Sequence, residues 1–390
     1  MNCAICMTTS STPYHCCTND KHCLCESCCI NIISSIINNG KIALLLSNKI
    51  PCYICNEKFQ YNDLPQNLQS DLNNILLTIP KTSKQPQSIQ EFNYYYNEFN
   101  QLRHCITNKK FIFLTQRHYE LLGKAIEIYI QTLIKSNPWN YEEIWLPIND
   151  NNQNQEKVNI FISNDFRTNT NGCLILIQGC GVVRAGQWSR SCCINESLDI
   201  GAMFSYMSKA KEHNLSVIIL NPNQTSYIDE EEDILENRNE DLLPFYLSSK
   251  PLPHSSSKPI PNLSTSYEHI LYAYDNIISE FSPARKLYIV AHSAGGDNLM
   301  HLLRQREDLI LSRLAKIAFI DSIHSISVSD TDEIKDFLKL NAIHFIASDK
   351  PMGEVIQLSK SPICREASAG HTKHEYTSGS CINGVFDFFF

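Results

Sequence analysis

Beyond Val158, apolar residues come in short unbroken blocks separated by clusters of Gly, Pro, Asn, Asp and Ser. Leu174–Ile177 and Val217–Leu220 read as buried strands, because a half-exposed strand would alternate, and Leu287–Ala291, Lys316–Ile320 and Ile343–Ala347 read as further strands. Between them stand segments of helical periodicity, among them Leu299–Leu303. Such alternation of strand and helix predicts a mainly parallel α/β sheet with flanking helices. Earlier in the chain, Tyr119, Leu122, Ile126, Tyr129 and Leu133 share one helical face, which reads as a core stripe. Leu64, Leu68, Leu72, Ile75, Leu76 and Ile79 make another such face, followed by the linker-like P-K-T-S-K-Q-P-Q-S. The expected organisation is a head at 1–60, a helix and linker at 61–90, and a large domain at 91–390.

The head is set apart by cysteine. Ten of the 17 cysteines lie between Cys3 and Cys55. Cys3, Cys6, Cys17, His22, Cys25, Cys28, Cys52 and Cys55 supply eight soft ligands at C-x2-C spacing, enough for two tetrahedral Zn2+ ions. A segment of this size has little core of its own, and metal would staple it. His15, Cys16, Cys23 and Cys29 are substitute ligands for the second site.

The order resembles a RING finger, which implies Cys3, Cys6, Cys25 and Cys28 on one zinc and Cys17, His22, Cys52 and Cys55 on the other. The resemblance also implies that Ile5 would contact a ubiquitin-conjugating enzyme. Against a ligase, the last pair lacks its usual internal proline and Asn56 stands where an arginine is common. A structural or protein-docking zinc module is the alternative.

Composition narrows the field. Hydrophobic residues make up 43% and charged residues 19%, as in ordinary globular chains. The apolar run Ile42–Leu46 is far too short to span a bilayer. The start, M-N-C-A-I-C, has no basic and apolar leader, so an intracellular, reducing compartment is expected, nucleus or cytoplasm being left open. A net charge of −8 argues against strong direct nucleic-acid binding. Asp229–Pro261, acidic and then Ser/Pro-rich, reads as a solvated insertion or a docking segment for a basic partner.

The candidate chemistry lies in the large domain. The strand ending at Ala291 runs into His292-Ser293-Ala294-Gly295-Gly296, an A-x-S-x-G turn before a helix, the sequence form of a nucleophile elbow. Asp321 and Asp349 each follow a later strand, and His374 and His371 follow both. Ser293, an acid and His374 fall in the chain order of a hydrolase triad, with Asp349 the first choice of acid and Asp321 the alternative. Gly179-Cys180-Gly181, together with Ala294 after the serine, would occupy the oxyanion position.

Residues 91–390 also carry F-N-Q-L-R-H, Q-R-H-Y-E-L-L-G, I-Q-G-C-G-V-V-R-A-G-Q-W, I-I-L-N-P-N, A-H-S-A-G-G, I-D-S-I-H and S-A-G-H-T-K-H-E-Y-T-S. On these the chain resembles the Argonaute-binding-protein-two (Arb2-type) domain family. The resemblance implies an α/β-hydrolase-like domain and association with Argonaute complexes, small-RNA silencing and heterochromatin. Arg184, Gln187 and Trp188 sit in the longest motif, with no chemical task set by spacing. Three readings of function follow. The first is an adaptor in a silencing complex with Argonaute, Dicer or RNA-dependent RNA polymerase, with the zinc module and the hydrolase-like domain as docking surfaces; the second is a serine hydrolase acting through Ser293; the third is a RING-type ubiquitin ligase.

Overall fold

In a computed structural model of the chain, the described residues are 14–15, 23–24, 50–51, 58–59, 88–114, 116–148, 156–228, 257–356 and 362–390. The chain divides into two compact units. The smaller includes the described residues 88–97 and Leu102–Ile126; the larger comprises Glu98–Gln101, Glu127–Asp229 and Ser256–Phe390.

In the smaller unit a hairpin pairs Tyr94 with His104 and Tyr96 with Leu102. Phe92, Tyr94 and His118 are buried together, His118 meeting Phe92 edge-on at 5.5 Å and stacking on Phe111 at 5.8 Å. Full burial holds the His118 imidazole neutral, its pKa pushed down to about 3.

The larger unit is built on an eight-stranded sheet. Its strands are β1 (Glu142–Leu146), β2 (Val158–Ile162), β3 (Cys173–Ile177), β4 (Ser216–Ile219), β5 (Leu287–His292), β6 (Leu314–Ile320), β7 (Ala342–Ile346) and β8 (Arg365–Ser368). Their spatial order is β8-β7-β6-β5-β3-β4-β2-β1. Every neighbouring pair is parallel except those made by β2, which runs antiparallel to both β4 and β1. Hence the sheet is parallel but for β2, and its order reverses around β3 and β4, as in an α/β-hydrolase sheet.

The apolar runs are continuous because the central strands are covered on both faces. Every residue of β2, β3, β4 and β5 is buried. Alternate residues of one face, Ile160, Ile175, Ile177, Ile289, Ala291, Ile317 and Phe319, form one core cluster. After α1 (Gln116–Lys135) and α2 (Phe204–Glu212), helix α3 (Ser266–Ala273) adds Ile270 to it, α4 (Gly295–Gln305) adds Leu299 and Leu303, and α5 (Asp332–Asn341) adds Ile334 and Leu338. Capping fixes where two of these helices begin. Thr265 and Glu268 form a reciprocal capping box on α3, and Thr331 accepts the Ile334 N–H at the start of α5.

Helix α1 (Gln116–Lys135) turns its expected face by about one residue. Leu122 and Ile126 are buried as expected, but Leu121, Ala125, Ile130 and Ile134 join them, while Tyr119, Tyr129 and Leu133 are only half-buried. Branched aliphatic side chains at i and i+4 make the narrower, drier stripe, and the tyrosines keep their hydroxyl ends nearer water. The expected insertion is closed at its ends by an antiparallel ribbon of Ser226–Ile228 with Ser257–Pro259.

The zinc part of the sequence-based fold is corrected. Among the described residues no group of three or more His, Cys, Asp or Glu could hold a metal ion. The described cysteines are scattered, and burial pushes Cys173, Cys364 and Cys381 up to about 12, making them thiols rather than thiolate ligands. Cys3, Cys6, Cys17, His22, Cys25, Cys28, Cys52 and Cys55 fall in the head, most of which lies outside the described residues; so do Ile5 and the 61–87 segment. The structure therefore supports neither the RING-like zinc domain nor its two Zn2+ ions, and the ligase reading that depended on them is dropped. Among the described residues, no helix is long and apolar enough to cross a membrane.

Phe319 is fully buried at the centre of this core, so Phe319→Ala is expected to cost ~3–5 kcal/mol. Leu340→Ala, on an exposed turn of α5, is expected to cost within about 0.5 kcal/mol. Urea unfolding midpoints of the two variants check the contrast.

Candidate functional site

Strand β5 ends in the left-handed turn that the A-H-S-A-G-G motif predicts. Ser293 has φ +54°, a conformation disfavoured for a residue with a Cβ. Its backbone is held from several sides. The Ser293 N–H donates to Ile320 O at 3.0 Å, and its carbonyl accepts from Ile323 N at 2.9 Å, Ser322 Oγ at 3.0 Å and Gly296 N at 3.2 Å. Gly296 has no alternative, since a Cβ there would stand 1.8 Å from Ser322 Oγ.

The glycine turn after β3 lies directly against this elbow. A Cβ on Gly179 would come within 2.6 Å of Ser293 Cβ, so only glycine lets the two turns approach. Asn223 Nδ2 donates to Gly179 O at 2.6 Å and to Val183 O at 3.1 Å, fixing the turn from the end of β4. Fully buried Asn221 accepts from Ala185 N at 3.2 Å, and its own Nδ2 donates to Asn159 Oδ1 at 3.0 Å. Cys180 and Gly181 are exposed beyond Gly179, and Ala294 is half-buried at the head of α4.

After β6, Asp321 also takes a positive φ, +39°, and its N–H donates to Phe345 O at 2.6 Å. Its Oδ1 accepts from Ala347 N at 3.0 Å, and its Oδ2 lies 2.6 Å from His374 Nδ1. The structure thus places Asp321, the alternative acid, against His374; Asp349 is exposed two residues beyond Ala347. His371 stacks on Tyr376 at 4.2 Å instead. The Ser293 hydroxyl makes no hydrogen bond to His374, although such a bond is often long without a ligand.

Two aromatic rings set the plane of His374. His292, buried beside Ser293, stacks on it at 4.7 Å and 25°, and Trp188 meets His292 edge-on at 6.1 Å. Trp188 itself is held by Trp188 N–Gly201 O at 2.8 Å and by ring contact with Tyr206. Gln187 Oε1 accepts the Arg184 N–H at 3.2 Å. Trp188, to which sequence spacing gave no task, therefore backs the ring that stacks on the imidazole, while Arg184 and Gln187 bond to each other within the turn.

Electrostatics follow the geometry. The bond to Asp321 raises the pKa of His374, outweighing its partial burial. Burial pushes Asp321 up, but the bonds from His374 and Ala347 more than offset this and hold it below its ordinary value. His292 is pushed down to about 4, chiefly by burial and then by the charge of His374, so it stacks as a neutral ring.

With this geometry in view, the Arb2 domain matches residues 85–352. The chain belongs to the Arb2 domain family. A cotranscriptional regulator ARB2A homolog of Dictyostelium discoideum is 38% identical over 312 residues, covering 77% of this chain and 79% of that protein. Cotranscriptional regulator ARB2A of Homo sapiens is 29% identical over 338 residues, covering 78% and 80%. A histone deacetylase from Saccharomyces cerevisiae overlays with a TM-score of 0.43 at 14% identity, covering 70% of this chain and 98% of that one. That overlay is too loose to carry weight; strand order and the elbow carry the fold. Ser293 and Asp321 lie within the Arb2 match, and His374 lies beyond its end.

The ion pair makes a pH window. A His with a raised folded pKa adds stability that is complete below its unfolded value of 6.5 and fades as pH rises through the folded value. A carboxylate with a lowered pKa adds stability above 3.8 and loses it as pH falls. The pair is therefore strongest between these two values. Asp321→Asn is expected to bring the His374 pKa down toward 6.5 or lower, read by NMR titration of the imidazole.

Proposed function

We propose that this Arb2 protein is a docking subunit of a small-RNA silencing assembly acting on transcription. Its hydrolase-like domain offers a surface to a protein partner rather than turning over a substrate. The observation that carries this reading is the relationship, over more than three quarters of the chain, to proteins named cotranscriptional regulators. The exposure of His374, 47% of its side chain, adds support, because a hydrolase usually keeps its base out of bulk water. Affinity purification of the tagged protein from its native cells is expected to recover Argonaute, Dicer or RNA-dependent RNA polymerase, with recovery unchanged by Ser293→Ala. A purification that repeatedly yields none of these factors sinks the silencing assignment.

A second reading is favoured by one specific feature, the left-handed Ser293 beside a formed Asp321–His374 pair. Under it the chain is a serine hydrolase for esters or related acyl compounds. Serine would attack the carbonyl carbon while His374 takes the hydroxyl proton and returns it to the departing alcohol, water would then release the acid from the acyl-serine by the same proton route, and Asp321 would hold the imidazole tautomer. A fluorophosphonate would then label the wild type and not Ser293→Ala, and Asp321→Asn would slow labelling by on the order of 10²-fold or more. Well-folded protein that takes no label leaves the docking reading alone.

A further inference from the structure

A concave feature of the larger unit uses none of the residues of the Ser293 site. It is a cavity of about 270 Å³ whose lining includes Trp139, Tyr141, Asp165 and Lys211, with the amides of Asn140 and Asn214. The two ring planes stand at 87° with centroids 6.4 Å apart, the disposition of two walls meeting at a corner. The indole is held in place, because it also stacks on Phe204 at 6.1 Å and 21°.

Polar groups in the cavity are not used up by the fold. Tyr141 is only 8% exposed, and its hydroxyl, which has no hydrogen-bond partner among the described residues, is the part left open to solvent. The Asp165 carboxylate accepts Ser163 Oγ at 2.6 Å and Asn169 Nδ2 at 2.8 Å, which leaves lone pairs and its charge for a ligand. That charge, after burial, raises the Tyr141 pKa, so phenol and carboxylate share one surrounding. Lys211 is exposed and makes no ion pair among the described residues.

We propose that this corner binds a small zwitterion of the phosphocholine type. The trimethylammonium group lies over Trp139 and Tyr141 beside Asp165, and the anionic group is taken by Lys211 with Asn140 and Asn214. Two perpendicular π faces suit a cation that is weakly hydrated and donates no hydrogen bonds. A quaternary ammonium needs no hydrogen-bond acceptors there, whereas a primary ammonium would need partners for all three of its N–H donors. A bare cation would be attracted by Asp165 and repelled by Lys211, whereas a zwitterion finds a partner at each end. The volume falls just below the usual range for ligand pockets of drug size, which suits a ligand as small as a headgroup.

Calorimetric titration of the full chain with phosphocholine tests the proposal. Saturable binding is expected at millimolar concentration or below, weakened about tenfold by Trp139→Leu and by Asp165→Asn. Lys211→Gln should weaken phosphocholine by a similar factor while leaving tetramethylammonium binding unchanged or tighter. Should Trp139→Leu fail to fold, the Asp165 and Lys211 variants, whose side chains face solvent, decide the matter. Co-sedimentation with phosphatidylcholine vesicles would identify a lipid headgroup as the source of the ligand, and binding of free phosphocholine alone would identify a soluble one. The proposal is overturned if phosphocholine does not bind, if the three variants bind it as the wild type does, or if a trimethyllysine peptide binds and phosphocholine does not. This result is independent of the docking and hydrolase readings.

Discussion

The close approach of Gly179 to Ser293 is the contact on which the larger unit turns. It joins the end of β3 to the end of β5, neighbouring strands whose continuations must leave the sheet in different directions. Ser293 accepts a left-handed backbone there, at a cost of order 1–3 kcal/mol, because three donors converge on its carbonyl and Ile320 receives its N–H. Asn223 secures the other half of the contact by gripping Gly179 from β4. Once these turns are locked, the end of β6 is near enough for Ser322 to brace the elbow and for Asp321 to meet His374.

Much of this was readable from the chain because its signals are local. Strands buried on both faces have to be apolar throughout, so their blocks stand out without any knowledge of their neighbours. Small residues around Ser293 and the glycines after Ile177 report turn geometry within a few positions. The choice between Asp321 and Asp349 is of another kind. Both follow a strand, and only the contact of Asp321 Oδ2 with His374 Nδ1, between residues far apart in the chain, shows which one faces His374. Likewise Asn221 and Asn223 look like ordinary turn residues until partners some forty positions away are seen.

The head shows the opposite limit. Regular C-x2-C spacing is a local signal too, yet ligand spacing alone fixes no geometry, and the eight candidate ligands lie outside the described residues, among which no metal-binding group forms. Trp188 and His292 illustrate a middle case. Their presence in long motifs was plain, but a stacked wall behind an imidazole has no periodicity and can be seen only once β5 and the turn before Gly201 are side by side. Family membership, by contrast, agrees with the motif reading and extends over most of the larger unit.

The ribbon of Ser226–Ile228 with Ser257–Pro259 has a consequence for how this fold can change. It brings the two ends of the intervening segment side by side, and for a flexible loop the cost of closure grows only with the logarithm of its length. Doubling the segment costs only about 0.6 kcal/mol. The ribbon is thus a clasp behind which sequence can be gained, lost or replaced while β4, α3 and the Asn223 grip on the glycine turn stay in register. Novelty in this chain can accumulate there without disturbing the serine elbow.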